Sequence, residues 1–326
     1  MIGCRRQLRT ALLLWAAAAL VALGAAPECP HGQLDSRYCD TDGDLVADPP
    51  ADPSAWKDPP VLVFAYTPVE DPALYRRAWQ PFLDHLSAAT GRRVVYFPVQ
   101  SNAAEIEAMR AGRLHVAGFN TGSVPLAVNA AGFVPVAMMA RQDGSFGYRM
   151  LLITRADGPI ADVAGLRGHE IAFTSPTSNS GAKAPRALLK AEFGLEEGKD
   201  YRSTYSGKHD NSILGVAHGD YDAAAVASTV LDRMAERGVV DRRAFRVLYA
   251  SQPFPTTAFG YAHDLAPELA RKIREAFFTF DWTGTELLRE FAGTAGSRFV
   301  PVDYRKHWEV IRRIDAANGV RYTSWR

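Results

Sequence analysis

The chain has little to offer thiol, metal or nucleophile chemistry. Three cysteines and eight histidines are spread over 326 residues. Beyond the N-terminal sixty residues, His85, His115, His169, His209, His218, His263 and His307 show no metal-ligand spacing. There is no Gly-x-Ser-x-Gly elbow, no His-Glu-x-x-His pair and no Gly-x-x-x-x-Gly-Lys phosphate loop. These absences argue against an enzyme, a resident metal or a cofactor. The formal net charge is only +1, which leaves no basic field for nucleic acid or an anionic membrane. A single long apolar run occurs, at the N-terminus, and no second stretch is long enough to span a membrane.

That first run has a specific context. Arg5, Arg6 and Arg9 precede apolar residues from Ala11 to Leu23, and the small residues Gly24, Ala25 and Ala26 follow. The order matches a cleaved secretory signal over residues 1–25. Cys4 leaves with it, so Cys29 and Cys39 remain and are expected to form a disulfide in an oxidising compartment. Cys29 lies too far from the cleavage residues for a lipoprotein signal, which predicts a soluble periplasmic protein. Residues 26–60 are rich in Pro and Asp and read as a disulfide-tied leader. Within it, Asp40, Asp42, Asp44 and Asp48 are candidate oxygen ligands for a hard cation such as calcium. Gly43 comes too early and no closing Glu follows, so the expectation is a solvated acidic turn.

From Val61 onward strands and helices alternate, the rhythm of an open α/β sheet. Val61–Tyr66, Val94–Val99 and His115–Phe119 read as strands. Leu74–Thr90 has helical spacing, with Trp79, Phe82, Leu83 and Leu86 on one face. A second unit begins near Tyr148, with strands at Met150–Thr154, Glu170–Phe173, Ala223–Val226 and Phe245–Ala250. Helices over Pro267–Asp281 and Gly284–Ala292 return to the first unit. The predicted architecture is a two-lobed α/β clamp around a central cleft with a hinge. Residues 61–147 and 258–326 form the first lobe and residues 148–257 the second. Ligands in such sheets sit beyond the carboxyl ends of the strands.

The segment Thr174-Ser175-Pro176-Thr177-Ser178-Asn179-Ser180-Gly181 follows one of those strands and opens a helix with Pro185 near its start. Free N–H groups at a helix start, with short hydroxyl and amide side chains beside them, favour negative charge. This turn is the candidate anion cradle.

Three segments taken together resemble a known family. They are Tyr66-Thr67-Pro68-Val69-Glu70-Asp71-Pro72, the Ser178-Asn179-Ser180-Gly181 turn and Ser206-Gly207-Lys208-His209-Asp210. They are similar to the phosphate, phosphite and phosphonate-binding proteins of ABC transporters, and the likeness runs in order from Val61 to Tyr322. It implies a type II periplasmic binding-protein fold that captures a small tetrahedral oxyanion. It also implies that Ser178, Asn179 and Ser180 match the family's Ser-Thr-Ser ligand turn and that His209 matches its ligand histidine. An anionic neighbour would favour protonated His209.

The departures from the family are equally informative. Ser101-Asn102 stands where phosphonate binders have Asp-Tyr, Val124 aligns with a second family Tyr, and Thr257 lies where an Asp serves an amine. Fewer aromatic walls and no ammonium partner point to a small polar anion. Asn120, Thr121 and Ser123 are then the first lobe's donors, with Tyr66 closing the cleft, Asn102 and Thr257 at the altered positions, and Tyr148 in hinge packing. The implied partner is an inner-membrane ABC permease. The alternative is a sensor histidine kinase reading an oxyanion such as arsenite. A phosphoester hydrolase using Ser178 and His209 is the remaining reading, but a serine in a helix-start turn more often serves as a donor.

Overall fold

Short apolar runs build two separate sheets in the computed structural model, which describes residues 29–293 and 296–322. In chain order the strands are β1 Val61–Tyr66, β2 Arg93–Tyr96, β3 Val116–Phe119, β4 Phe133–Ala140, β5 Met150–Arg155 and β6 Glu170–Phe173. They continue with β7 Arg202–Tyr205, β8 Ala223–Ala227, β9 Phe245–Ala250, β10 Ala258–Ala262 and β11 Arg298–Pro301. The first sheet has the order β11-β4-β10-β3-β1-β2 and the second β7-β6-β8-β5-β9. β1, β2 and β3 are mutually parallel, as are β6, β7 and β8. Strands returning from a chain crossing enter antiparallel. The expected signal lies outside the described residues.

The helices are α1 Pro72–Thr90, α2 Asn102–Arg110, α3 Val124–Ala131, α4 Ala184–Phe193 and α5 His209–His218. After them come α6 Ser228–Glu236, α7 Pro267–Thr279, α8 Glu286–Phe291, α9 Tyr304–His307 and α10 Glu309–Ala317. The sequence explains α1 well. Asp71 accepts from Ala73 N at 3.0 Å, Pro72 needs no donor in the first turn, and Gly91 ends the helix at φ +68°. Its apolar face buries Trp79, Phe82, Leu83 and Leu86 against Phe64 and Phe259. Burying each such side chain contributes about 1.5–3 kcal/mol.

The chain passes between sheets twice, over residues 141–149 and 251–257. The two crossings pair with each other: Tyr148 N donates to Phe254 O at 3.1 Å and Phe254 N to Tyr148 O at 2.8 Å. This bridge joins the two sheets at one point. All three parallel strands of each sheet end facing the gap between them, which is why loops from both lobes meet there.

Cys29 and Cys39 form the expected disulfide. Leu34, Tyr38, Val46 and Ala47 of the leader are buried in the same core as α3. Asp35 N donates to Asn129 O at 2.9 Å and Arg37 to Ala130 O at 3.0 Å. At the other terminus α10 reaches the second lobe: Asp315 pairs with Lys183 at 2.6 Å, and Asn318 donates to Lys183 O at 2.9 Å. No described helix is long and apolar enough to cross a membrane.

Candidate functional site

Beyond the ends of β1, β3, β6 and β8 the lobes close around a cavity of about 70 Å³. That is room for roughly five waters, or for one small tetrahedral anion. Tyr66, Asn102, Asn120, Thr121, Ser178, Asn179, Ser180, His209 and Thr257 all line it. Residues far apart in sequence are thus brought together as expected. Ser123 is the exception. It is fully buried behind the wall at the start of α3, and its Oγ has no described hydrogen-bond partner. The chain has already turned into α3 there, so Ser123 follows the helix interior instead of the cleft.

The second-lobe wall is a helix start. A single wide turn, Asn179–Lys183, precedes α4, with Lys183 N donating to Ser178 O at 3.0 Å. Ser178 Oγ accepts from Gly181 N at 3.0 Å, so it caps the turn and its own hydroxyl proton stays available to a guest. Gly181 is required by close approach, since a Cβ there would lie 2.0 Å from Thr174 Oγ1. Thr174 Oγ1 and Asn179 Oδ1 are buried without a described partner; the hydroxyl keeps a proton to donate, whereas the amide oxygen can only accept.

His209 opens α5 on the same wall. Burial pushes its pKa down to about 4, so with no anion beside it the ring is neutral at physiological pH. Ala227 N donates to His209 Nδ1 at 3.2 Å. An amide N–H can only donate, so the ring proton sits on Nε2 and His209 is a neutral donor.

The first-lobe wall is bound largely to itself and to the opposite lobe. Asn120 Nδ2 donates to Thr67 Oγ1 at 2.9 Å, and Asn120 Oδ1 accepts from Gly122 N and Ser123 N. Thr67 Oγ1 donates to Asn102 Oδ1 at 3.3 Å. Asn102 Nδ2 then crosses the cleft to Thr177 Oγ1 at 2.9 Å and Ser175 Oγ at 3.1 Å. Asn102 therefore latches the lobes as well as lining the cavity. Lys183 Nζ crosses the other way to Gly122 O at 2.7 Å. The lobes touch so closely that a Cβ on Gly122 would stand 2.3 Å from Thr177 O and 2.4 Å from Asn179 N.

Two cavity-lining residues escape sequence reasoning. Arg233 of α6 lines the cavity while only 4% exposed, and it donates to Glu70 of the first lobe at 2.6 Å. Arg237 donates to the other Glu70 oxygen at 2.7 Å and also pairs with Glu290, and Tyr75 donates to Glu70 as well. Burial is the largest influence on the Glu70 carboxyl and pushes its pKa up, but Arg233, Tyr75 and Arg237 together hold it below the ordinary value. The only sequence trace of this cluster is the one-turn spacing of Arg233 and Arg237 on a stretch left unassigned. The second residue is Tyr148, expected in hinge packing alone. The crossing bridge carries its ring to the cavity, where Asn179 Nδ2 donates to its hydroxyl at 3.3 Å. With Tyr66 it gives the cavity two aromatic walls, more than the sequence departures suggested. Val124 is buried off the cavity.

Known proteins resemble this chain in sequence and fold. A family model described as the periplasmic substrate-binding protein of phosphonate ABC transporters matches residues 64–308. The phosphate-import protein PhnD of Mycolicibacterium smegmatis is 26% identical over 243 residues, covering 71% of this chain and 75% of that protein. The phosphonates-binding periplasmic protein of Escherichia coli is 25% identical over 229 residues, covering 69% and 68%. A binding protein component of an ABC phosphonate transporter from Pseudomonas aeruginosa superposes with a TM-score of 0.70 at 24% identity, over 80% of this chain and 89% of that one. A methylphosphonate complex of PhnD1 from Prochlorococcus marinus gives 0.68 at 18% identity, over 80% and 99%. The chain belongs to the family of periplasmic substrate-binding proteins of phosphonate ABC transporters.

Proposed function

We propose that this chain is an exported, periplasmic binding protein that captures a small tetrahedral oxyanion, namely phosphate, phosphite or a small phosphonate, and hands it to an ABC permease. The supporting observation is the cavity of about 70 Å³ between the lobes, lined on the second-lobe side by short hydroxyl and amide side chains at a helix start. Ser178, Ser180 and the free N–H groups of the turn bind the anion, His209 donates from Nε2, and Thr257 meets it from the end of the crossing that leads back to the first lobe. Tyr66 and Tyr148 set the length of any organic substituent. Recognition uses oriented dipoles and hydroxyls, because Arg233 is engaged by Glu70 and Lys183 by Asp315. Ser178 serves as a cap and donor and not as a nucleophile. The disulfide leaves no thiol among the described residues for a thiophilic ligand such as arsenite.

The test is calorimetry of the purified chain with phosphate, phosphite, methylphosphonate, sulfate and arsenite. A phosphorus anion is expected to bind one to one. Binding of sulfate or arsenite with none of the phosphorus anions would overturn the reading.

A further inference from the structure

Asp40, Asp42 and Asp44 each bring one carboxylate oxygen within 4.8 Å of the other two. Asp40 separates this cluster from an ordinary acidic turn. It is only 8% exposed, and its Oδ1 receives no hydrogen bond from any described residue. A buried carboxylate without a donor or counter-charge is costly. No described Lys, Arg or His forms an ion pair with Asp40, Asp42, Asp44 or Asp48. Arg305 meets the loop only at the Gly43 carbonyl, at 3.2 Å.

The spacing fits a hard cation. Asp40, Asp42 and Asp44 occupy alternate positions, Val46 supplies a backbone carbonyl two residues on, and Asp48 follows two further on. That is the order 1, 3, 5, 7 and 9 of a calcium loop. The glycine objection is answered by the backbone. Position 6, where such loops turn sharply and carry Gly, is Leu45 at φ +71°, the one non-glycine residue with positive φ among those described. Ca²⁺ accepts six to eight oxygens in a flexible geometry, whereas Mg²⁺ demands a near-ideal octahedron and gives up its waters reluctantly.

We propose that Asp40, Asp42 and Asp44 bind one Ca²⁺, with Asp48 and the Val46 carbonyl completing its oxygen shell. The ion pins the disulfide-tied leader to the first lobe. Val46 N donates to Asp44 Oδ1 at 2.8 Å, and the Val46 side chain is buried in the core shared with α3, so an ordered Asp44 orders that contact. The site is independent of the oxyanion cavity.

The full mature chain, stripped with EGTA in a phosphate-free buffer, is titrated with CaCl₂ and with MgCl₂ by calorimetry and melted in each. The expected result is one Ca²⁺ per chain, a rise in melting temperature on the order of 5 °C near saturation, and at least tenfold weaker Mg²⁺ binding. Asp42→Asn and Asp44→Asn should each abolish the calcium response yet melt no lower than the parent in EGTA, because they relieve carboxylate repulsion. The proposal is overturned by equal melting in Ca²⁺ and EGTA without binding heat. A calcium response surviving in the Asp42→Asn, Asp44→Asn double variant, or Mg²⁺ binding as tight as Ca²⁺, overturns it equally.

Discussion

The two walls of the cleft are built from similar residues but spend them differently. On the second-lobe wall, Thr174 Oγ1 and Asn179 Oδ1 have no described partner, and His209 uses only Nδ1 internally. On the first-lobe wall, Thr67, Asn102, Asn120 and Thr121 are tied to one another, to Pro255 O or across the gap. One wall is arranged to hold a guest and the other to hold the opposing lobe. Binding and closure are therefore carried by separable side chains, so mutations should divide into those that weaken contact and those that weaken closure.

The largest effect is expected from the latch. Glu70→Ala removes the nearer of the two carboxylates that pair with Arg233 and leaves it Glu290 at 3.7 Å, a change on the order of 3 kcal/mol against the closed form. The anion's Kd should rise by two orders of magnitude or more, and the radius of gyration in small-angle scattering should grow. An unchanged radius together with an unchanged Kd would show that Glu70 does not hold the lobes together.

The next effect is on stability. His209 has a folded pKa of about 4 against an ordinary value of 6.5, so the unfolded chain binds more protons between those values. The contribution is full above pH 6.5 and is lost as pH falls toward 4, on the order of 3 kcal/mol in all. Urea unfolding at pH 7 and pH 4.5 should show a smaller loss in His209→Gln than in the parent. Equal losses would mean that His209 is not neutral and buried.

The smallest effect sharpens the contrast between walls. Ser180→Ala removes a donor to a charged guest and should weaken binding about 10- to 100-fold with the closed shape intact. Asn102→Ala should weaken it less, by roughly tenfold, and should shift the unliganded chain toward the open form in scattering. Two variants with the same profile would erase the division.

Much of this was legible locally. The α1 caps and stripe, the β6-to-turn junction and the likeness of three short segments pointed to a two-lobed clamp, and of the ten residues named from the sequence all but Ser123 line its cavity. The strands at 133–140, 258–262 and 298–301 were missed. β4 is a nearly continuous apolar run without alternation, because it is covered on both faces. β10 is five residues long, with alanine at both ends. Both were chosen by sheet neighbours more than by their own pattern.

The sequence by itself determined the alternation of elements, the anion-favouring turn and the spacing of the acidic loop, because each depends on residues within one or two turns of chain. Only the tertiary structure decided that Ser123 leaves the cavity, that Tyr148 enters it and that His209 is neutral. The same holds for the pairing of Glu70 with Arg233, 163 residues away, and for Asp40 being buried without a donor. Burial and long-range charge pairing depend on which distant segments pack together, and no local pattern of residues encodes that.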